Sequence, residues 1–510
     1  MKNNIARAPH SPQEYFQQGV SLMQGGDTLR ALDAYGAAIA LESSFWPAYL
    51  ERARVRLLGQ DFHAAIKDLE VVVALAPNEV GAFLDLGRAW QGVRSAERAR
   101  ACFAQAIKIN PKFSEAYYNL GVLDYNDGNI DAAIENYTRA IELNPNFVIA
   151  YSNLGVSLQA REEPDKALAT LEKGIAIAPH DPSAHWNKAL LLLRNGRYAE
   201  GWKQYEWRWS AGKAGDYRRF PGRPLWLGGT KIAGKTILLH AEQGLGDSIQ
   251  FLRYVTLAAA AGARVLVEVP QTLVSLTRRI KGVAEVIPTG GKLPDFDLHS
   301  PLMSLPLAFG TTLESVPCAI PYMNSDLDRV SKWRTRLGEG ARRSSKRGAR
   351  VRPRVGLVWR GNPMHDGDAE RSMSFDILRE GLAPGVDYVC LQKPIPDADL
   401  SLVQSVEGVI NLSSDQESFD DACAIIELCD VVISVDTGVA HLAGAMGKPV
   451  WIMLPRRAEW RWMKDRPDSP WYPTARLFRQ TRQGDWSDVV TAIRSELISL
   501  YPLGQHHRGP

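Results

Sequence analysis

Two glycine-containing segments in the second half of the chain carry residue types suited to binding an anion. The first, HAEQGLGD, spans residues 240–247 and follows an apolar run that is typical of a strand. Gly244 and Gly246 permit a tight turn and a close approach of the backbone to a ligand, and the helix predicted next offers free N–H groups. Asp247 lies where that helix begins, so it is either a helix-capping residue or a general base facing a cleft.

The second segment, SVDTGVAHLAGA, spans residues 434–445 and repeats the order of strand, turn and helix. A β-branched run ends at Asp436, Thr437 and Gly438 form the turn, and a helix is predicted from about residue 440. Backbone N–H groups at such a turn suit a diphosphate, and Thr437 adds a hydroxyl donor. His441, in the first helical turn, is a candidate for contact with phosphate or ribose, although a single histidine can also be purely structural.

Cationic residues follow two further predicted strands. Arg371 and Lys393 lie at strand exits, where they can compensate the charge of a departing diphosphate without a metal ion. Paired acids also occur in polar stretches, and we interpret them as surface turns rather than as a metal site. These pairs are Asp366 and Asp368, Asp397 and Asp399, and Asp326 and Asp328.

A dinucleotide-binding fold is a competing interpretation of the first segment. Its glycine pattern would place a third glycine at position 249, which is Ile249 here. Glu268, near the end of the next predicted strand, imitates the acid that binds ribose in such folds. The sequence therefore keeps this alternative open.

The segments around these motifs alternate between strand and helix. Short apolar runs are predicted as strands at 236–239, 263–269, 282–287, from 296, and at 354–359, 386–391, 409–411, 431–435 and 449–454. This order predicts parallel sheets covered by helices, with ligands at the carboxyl ends of the strands. The basic stretch 338–353 is predicted to be a linker, which gives two α/β lobes at 213–337 and 354–510.

The first 212 residues repeat with a period of 34. Prolines at positions 77, 111, 145 and 179 are 34 apart, and an aromatic, a small residue and an alanine recur at the same step. This period is the signature of tetratricopeptide repeats, each made of two helices. Five clear repeats and a degenerate sixth predict an α-solenoid. Its concave groove suits a protein or peptide partner, and a structural scaffold or a dimerisation arm is the alternative.

Composition excludes several broad classes of protein. The 510 residues are 45% hydrophobic and 23% charged, with a formal net charge of only +3, which disfavours nucleic-acid binding. The five cysteines are widely spaced, which fits a reducing compartment. No targeting or membrane-spanning segment is visible in the sequence, so we expect a cytoplasmic protein.

Residues 224–499 resemble the bacterial glycosyltransferase family 9, typified by ADP-heptose:lipopolysaccharide heptosyltransferases. The resemblance rests on GLGDSIQ, VDTGVAHLAGA and the closing segment SPWYPTARLFRQ. With the repeats in front, the whole chain is similar to bacterial tetratricopeptide-repeat glycosyltransferases. The resemblance implies a GT-B fold, formed by two Rossmann-like α/β lobes, and an inverting, metal-independent transfer from a nucleotide-diphosphate sugar, with no bound cofactor.

The family pattern also implies roles for individual residues. Its proposed base falls on Asp247, and its donor loop falls on Asp436, Thr437, Gly438 and His441, with Val439 in place of leucine. Two other classes remain open: a catalytically inactive assembly platform with a nucleotide-binding domain, and a nucleotide-binding oxidoreductase.

Overall fold

The computed structural model describes residues 11–213, 219–338, 352–365 and 367–502. The chain divides into two compact units, residues 1–187 and 188–510. The boundary lies before residue 212, where the repeat region was predicted to end. Most of the predicted linker 338–353 lies outside the described residues.

The first unit consists of antiparallel helix pairs, as the 34-residue period predicts. Its helices are α1 Pro12–Gln24, α2 Thr28–Leu41, α3 Trp46–Leu58, α4 Phe62–Leu75, α5 Val80–Gly92, α6 Ala96–Ile109, α7 Ser114–Asn126, α8 Ile130–Leu143, α9 Val148–Ala160 and α10 Pro164–Ile177. The helix α11 Pro182–Arg194 crosses the boundary between the units.

The recurring small residue sets the distance between the two helices of a pair. A Cβ atom added at Gly19 would lie 2.5 Å from Cε1 of Tyr35, and one added at Gly121 would lie 2.8 Å from Cε1 of Tyr137. Both rings are buried. The small residue on the first helix therefore makes room for the large residue on the second, as the sequence predicted.

The second unit begins with the remains of the sixth repeat. Helix α12, Tyr198–Tyr205, follows α11, and Gly201, at the position of the recurring alanine, packs against Leu193 of α11. The aromatic face of α12 is buried inside the second unit, where the ring of Trp202 contacts Phe251 and Trp471. The repeat signature fades at α12 because this helix packs against an α/β domain instead of another repeat.

Two parallel sheets form the centre of the second unit. The strands are β1 Thr236–His240, β2 Arg264–Val269, β3 Val283–Pro288, β4 Leu298–Pro301, β5 Arg354–Val358, β6 Asp387–Cys390, β7 Val409–Asn411, β8 Val431–Val435, β9 Val450–Leu454 and β10 Ala475–Arg479. The first sheet has the order β3-β2-β1-β4 and the second the order β10-β9-β8-β5-β6-β7. The predicted strands are confirmed within one or two residues, and β10 was not predicted.

Helices connect and cover these strands. They are α13 Leu245–Phe251, α14 Tyr254–Ala260, α15 Val274–Arg278, α16 Leu305–Ala308, α17 Leu327–Arg336, α18 Asp368–Arg371, α19 Phe375–Leu378, α20 Asp397–Ser405, α21 Phe419–Glu427, α22 Gly438–Ala445 and α23 Ser487–Leu500. In the described part of the chain, no helix has the length and apolar character needed to cross a membrane.

The first glycine segment leads into two short helices rather than the single helix that the sequence predicted. Nε of Arg253 donates to the carbonyl oxygen of Gln250 at 2.7 Å. In a continuous helix that carbonyl would accept the N–H of Tyr254. The side chain of Arg253 therefore replaces the backbone hydrogen bond from Tyr254 to Gln250, and the helix is interrupted between Phe251 and Tyr254.

Candidate functional site

Topology places both glycine segments where parallel sheets bind ligands. In the first sheet the strand order reverses between β1 and β4, and in the second between β5 and β8. Ligands of open α/β sheets bind at the carboxyl ends of strands beside such a reversal. The segment that ends at Asp247 follows β1, and the segment that begins at Asp436 follows β8, so each lies at the reversal of its own sheet.

The N-terminal turns of α13 and α22 are in direct contact. A Cβ atom added at Gly246 would lie 2.8 Å from Cδ2 of His441, and one added at Gly438 would lie 3.8 Å from the backbone nitrogen of Gly246. The structure therefore brings the two predicted segments together. Because the turns touch, a pyrophosphate group has no room between them, and a ligand has to lie along their exposed edge.

This contact predicts the effect of a single methyl group. Gly246→Ala is expected to destabilise the protein by about 1–3 kcal/mol, because the methyl group meets the buried imidazole of His441. Gly438→Ala is the matched control, since the nearest atom to its added Cβ is Cζ of Phe419 at 3.5 Å. Urea unfolding of both variants tests this, and equal stability of the two would contradict the described packing.

His441 is held by protein groups on both ring nitrogens. Its Nδ1 lies 2.9 Å from the hydroxyl of Tyr472, its Nε2 lies 3.6 Å from Oδ1 of Asp436, and its ring stacks on Trp462. A direct contact of this imidazole with phosphate or ribose stays a prediction. In the present geometry His441 positions Asp436 and the turn between β8 and α22.

Asp436 is the acid at the exit of β8. Burial raises its pKa, but the imidazole of His441, the indole of Trp462 and the positive charge of Arg371 together lower it more, so the pKa lies below the usual range. Arg371, one of the two predicted cations, thus acts on this site. It also donates from Nε to Oδ1 of Asp368 at 3.1 Å.

The N-terminus of α22 is open to an anion. Thr437 is the residue that precedes the helix, and its side chain makes no capping hydrogen bond to it. Instead its hydroxyl lies 2.9 Å from the hydroxyl of Ser434. The first N–H groups of α22 therefore remain available to a diphosphate, which favours charge at this end of a helix.

Asp247 contacts the residue that precedes α13. Its Oδ2 accepts the backbone N–H of Gly244 at 2.8 Å, and Asp247 itself is the third residue of the helix. Its Oδ1 forms an ion pair with the guanidinium of Arg461. Gly244 rather than Asp247 therefore occupies the capping position, and the role of Asp247 as a base stays a prediction.

Sequence reasoning missed two residues of the site, Glu459 and Arg461. Arg461 is buried and pairs with both Asp247 and Glu459. They lie in the segment that follows β9, so their position at the carboxyl edge of the sheet was the signal that could have found them.

The carboxyl of Glu459 has an unusual pKa. Burial is the largest cause that raises its pKa, to about 7; the charges of Asp436 and Asp247 add to this, and Arg461 opposes it. Its side chain nevertheless keeps 39% of its surface exposed. It is therefore surrounded by protein and still reachable from solvent.

The raised pKa of Glu459 predicts a pH-dependent stability. Below the pKa of about 4.3 in the unfolded chain, the carboxyl is protonated in both states, and above that its ionisation in the folded state costs free energy. The stability of the wild type relative to Glu459→Gln should therefore fall as pH rises towards about 7. Urea unfolding at about pH 5 and about pH 8 measures this, with Glu407→Gln at an exposed position as control. A flat difference would contradict the assignment.

The second predicted cation lies one strand further from the reversal. Lys393 follows β6, and its ammonium group donates to the carbonyl oxygen of Gln416. A pocket of about 550 Å³ opens in the segment that follows β5, and β5 lies between β8 and β6 in the second sheet. It is lined by Arg360, Pro363, Met364, His365, Asp368, Ala369 and Ser372.

The acid that the dinucleotide-binding interpretation requires is already bonded to protein groups. Glu268 is buried, pairs with Arg219 at 2.5 Å and accepts the N–H of Gly290 at 3.4 Å. Its carboxylate therefore serves the fold, and the sequence argument for a ribose-binding acid at this position loses its support.

The interpretation of the acidic pairs as surface turns is wrong for Asp399. This residue is buried in the first turn of α20, where it accepts Nε1–H of Trp359 at 2.8 Å and the N–H of Phe375 at 3.1 Å. Asp326 caps α17, and Asp366 lies outside the described residues. Across the described ranges, no group of three or more His, Cys, Asp or Glu side chains has the geometry of a metal site.

Comparisons with known families match both regions of the chain. Tetratricopeptide repeat models match residues 16–80, 102–135, 124–161 and 152–206. A model described as glycosyltransferase family 9 (heptosyltransferase) matches residues 414–454. The latter segment contains α21, β8, the turn at Asp436–Gly438, α22 and β9.

Individual proteins also resemble the chain. Protein FlbA of Caulobacter vibrioides is 26% identical over 506 residues, which covers 92% of this chain and 82% of that protein. The solved structure of MamA is 25% identical, covers 32% of this chain and 94% of its own, and has a TM-score of 0.30. The solved structure of YrrB, described as a TPR protein with an unusual peptide-binding site, is 26% identical, covers 34% of this chain and 88% of its own, and has a TM-score of 0.29. The chain thus carries tetratricopeptide repeats in its N-terminal region and, in its C-terminal part, a segment that matches glycosyltransferase family 9.

Proposed function

We propose that the second unit is a GT-B-type glycosyltransferase that moves a sugar from a nucleotide-diphosphate sugar to an acceptor hydroxyl, with inversion and without a metal ion. The observation that supports this most directly is the place of the family 9 match. It contains the turn at Asp436–Gly438, whose open helix end meets the turn of Gly246 at the reversal points of two parallel sheets.

The donor diphosphate would lie along the edge of the β8–α22 turn. There the first N–H groups of α22 are available as donors, and the guanidinium of Arg371 lies close enough to lower the pKa of Asp436. The hydroxyl of Thr437 would exchange its contact with Ser434 for one with the diphosphate. These groups supply the positive potential that a departing diphosphate needs as its charge develops. Lys393, whose ammonium is engaged with Gln416, is the weaker candidate.

The transfer is a single in-line displacement at the anomeric carbon. The acceptor oxygen forms the new bond, the bond to the diphosphate breaks with its electron pair, and a carboxylate takes the acceptor proton. Asp247 is the candidate from the sequence, and Asp436 and Glu459 are the other carboxylates of the site. Exclusion of water from the site would protect the donor from hydrolysis.

The repeats would recruit a protein acceptor or partner. A groove pocket of about 430 Å³ opens among α3, α4 and α5 and combines apolar and charged side chains. They are Arg54, Leu57, Leu58, Phe62, Asp85 and Arg88. Such a surface binds a peptide segment, and tethering an acceptor in the same chain raises its effective concentration for the transferase unit.

A second candidate function is an inactive assembly platform whose second unit only binds a nucleotide. The observation in its favour is that both oxygens of Asp247 are engaged by protein groups. In that case a nucleoside diphosphate binds, but no sugar is transferred.

Release of nucleoside diphosphate distinguishes the two functions. The full chain is incubated with UDP-, ADP- and GDP-linked hexoses and heptoses, with and without a chelator. In this and every later release assay, serine- and threonine-containing peptides and simple glycosides are supplied as acceptors. We expect release from one donor, unchanged by the chelator and weakened in Thr437→Val, with Thr170→Val in the repeats as matched control. Binding of a nucleoside diphosphate without any release supports the platform, and loss of activity on chelation contradicts metal independence.

A further inference from the structure

The carboxylates of the candidate site differ in how firmly the protein holds them. Asp247 accepts a backbone N–H with one oxygen and pairs with Arg461 through the other, and 21% of its side chain is exposed. The side chain of Glu459 is 39% exposed. One of its oxygens pairs with Arg461, and the other accepts the backbone N–H of Arg461 at 3.3 Å, a contact that caps the 3-10 helix Trp460–Trp462.

We propose that Glu459, which the segment after β9 places beside Asp247 through their shared partner Arg461, takes the proton of the acceptor hydroxyl. This inference rests on the proposed glycosyl transfer and assigns one step of it to a residue outside both glycine segments. Asp247 then keeps its contacts with the backbone N–H of Gly244 and with Arg461.

Protonation would have unequal consequences at the two carboxyls. A proton on Asp247 would compete with the N–H of Gly244 and with the buried guanidinium of Arg461, both of which need a negative acceptor. A proton on Oε2 of Glu459 would displace a backbone contact of 3.3 Å, longer than the 2.8 Å contact of Asp247, and would weaken an ion pair whose guanidinium keeps Asp247 as a second charged partner. The geometry therefore allows Glu459 to gain and lose a proton while the turn of α13 stays intact.

The groups that face Glu459 favour this exchange near neutral pH. Arg461 lies on its own segment, Asp247 on α13 and Asp436 at the end of β8, and the buried hydroxyls of Tyr198 and Tyr205 approach from α12. Burial and the two acids raise the pKa of Glu459 to about 7, against the pull of Arg461. A proton acceptor is most effective when its pKa is close to the working pH.

The proposed step balances without a further reactant. The O–H bond of the acceptor breaks and its proton goes to Oε2 of Glu459. The acceptor oxygen bonds to the anomeric carbon, and the electron pair of the old C–O bond leaves with the diphosphate. Glu459 returns the proton to solvent, which its exposed surface reaches.

Glu459→Gln and Asp247→Asn test the assignment when nucleoside diphosphate release from UDP-, ADP- and GDP-linked hexoses and heptoses is measured against pH. We expect Glu459→Gln to lower kcat by about 100-fold or more with an unchanged KM for the donor. Asp247→Asn should lose much less and keep the fall of activity below about pH 7. Glu459→Asp, which keeps a carboxylate, should recover part of the rate, and melting temperatures confirm that each variant is folded.

Three results would overturn the inference. If Glu459→Gln keeps its rate while Asp247→Asn loses it, Asp247 is the base and the proposed transfer stands. Suppose that both variants lose the same share of the rate, and that the residual activity of Glu459→Gln still falls below about pH 7 as it does in the wild type. Glu459 is then only structural. If the wild type releases no nucleoside diphosphate from any donor, the proposed transfer itself fails, and the inference fails with it.

Discussion

Trp202→Ala is expected to destabilise the second unit and to leave the stability of the repeat unit unchanged. Trp202 is 1% exposed, and its ring packs against the rings of Tyr205, Phe251, Trp460 and Trp471. Truncation of such a side chain costs about 3–5 kcal/mol, a large part of the stability of a domain. Calorimetry should show that one of two melting transitions moves to lower temperature.

The matched control is Trp90→Ala in the repeat unit. Trp90 is half-buried on α5, and the guanidinium of Arg98 lies over its ring at 4.4 Å. This substitution should lower only the other transition. If Trp202→Ala lowered the transition that Trp90→Ala lowers, α12 would belong to the repeats and the described boundary would be wrong.

Arg461→Met is expected to destabilise the second unit by about 3–5 kcal/mol, because it leaves Asp247 and Glu459 as neighbouring carboxylates without their shared cation. The side chain of Arg461 is 8% exposed. Arg466→Met is the control five residues away, in a pair with Asp468 whose side chains are 26% and 60% exposed. An exposed pair of that kind contributes about 0–1 kcal/mol.

A triple variant tests the electrostatic origin of the loss. Combining Arg461→Met with Asp247→Asn and Glu459→Gln removes both uncompensated charges, so most of the lost stability should return. Urea unfolding measures all three proteins. A triple variant as unstable as Arg461→Met alone would show that the guanidinium acts through packing on Trp460 and not through its charge.

Periodic features of the chain were predictable, because the pattern of each repeat or strand is visible within a short stretch of sequence. The small residue at Gly19 and Gly121 faces a large ring at the same offset in both repeats. The strands β5 and β8 are continuous apolar runs, as strands buried on both faces are. The strand β10 was missed because Arg476 and Arg479 interrupt its apolar run at the edge of the sheet.

The candidate site was predictable only in part. The residue types of the glycine segments predict their turns, and the parallel topology brings Gly246 and His441 together. The ion pair of Asp247 with Arg461 joins residues 214 positions apart, and nothing near either residue specifies it. Glu459 lies in an aperiodic segment, so its role follows only from the fold.

The account depends most on a nucleoside diphosphate binding beside the turn of Asp436–Gly438. Calorimetric titration of UDP, ADP, GDP and NAD into the wild type and His441→Ala tests this directly, with His63→Ala in the repeats as control. We predict that one nucleoside diphosphate binds the wild type and His63→Ala, and that His441→Ala, which loses the side chain that positions Asp436, does not bind it. Binding of none of the four ligands, binding of NAD alone, or undiminished binding by His441→Ala would contradict it.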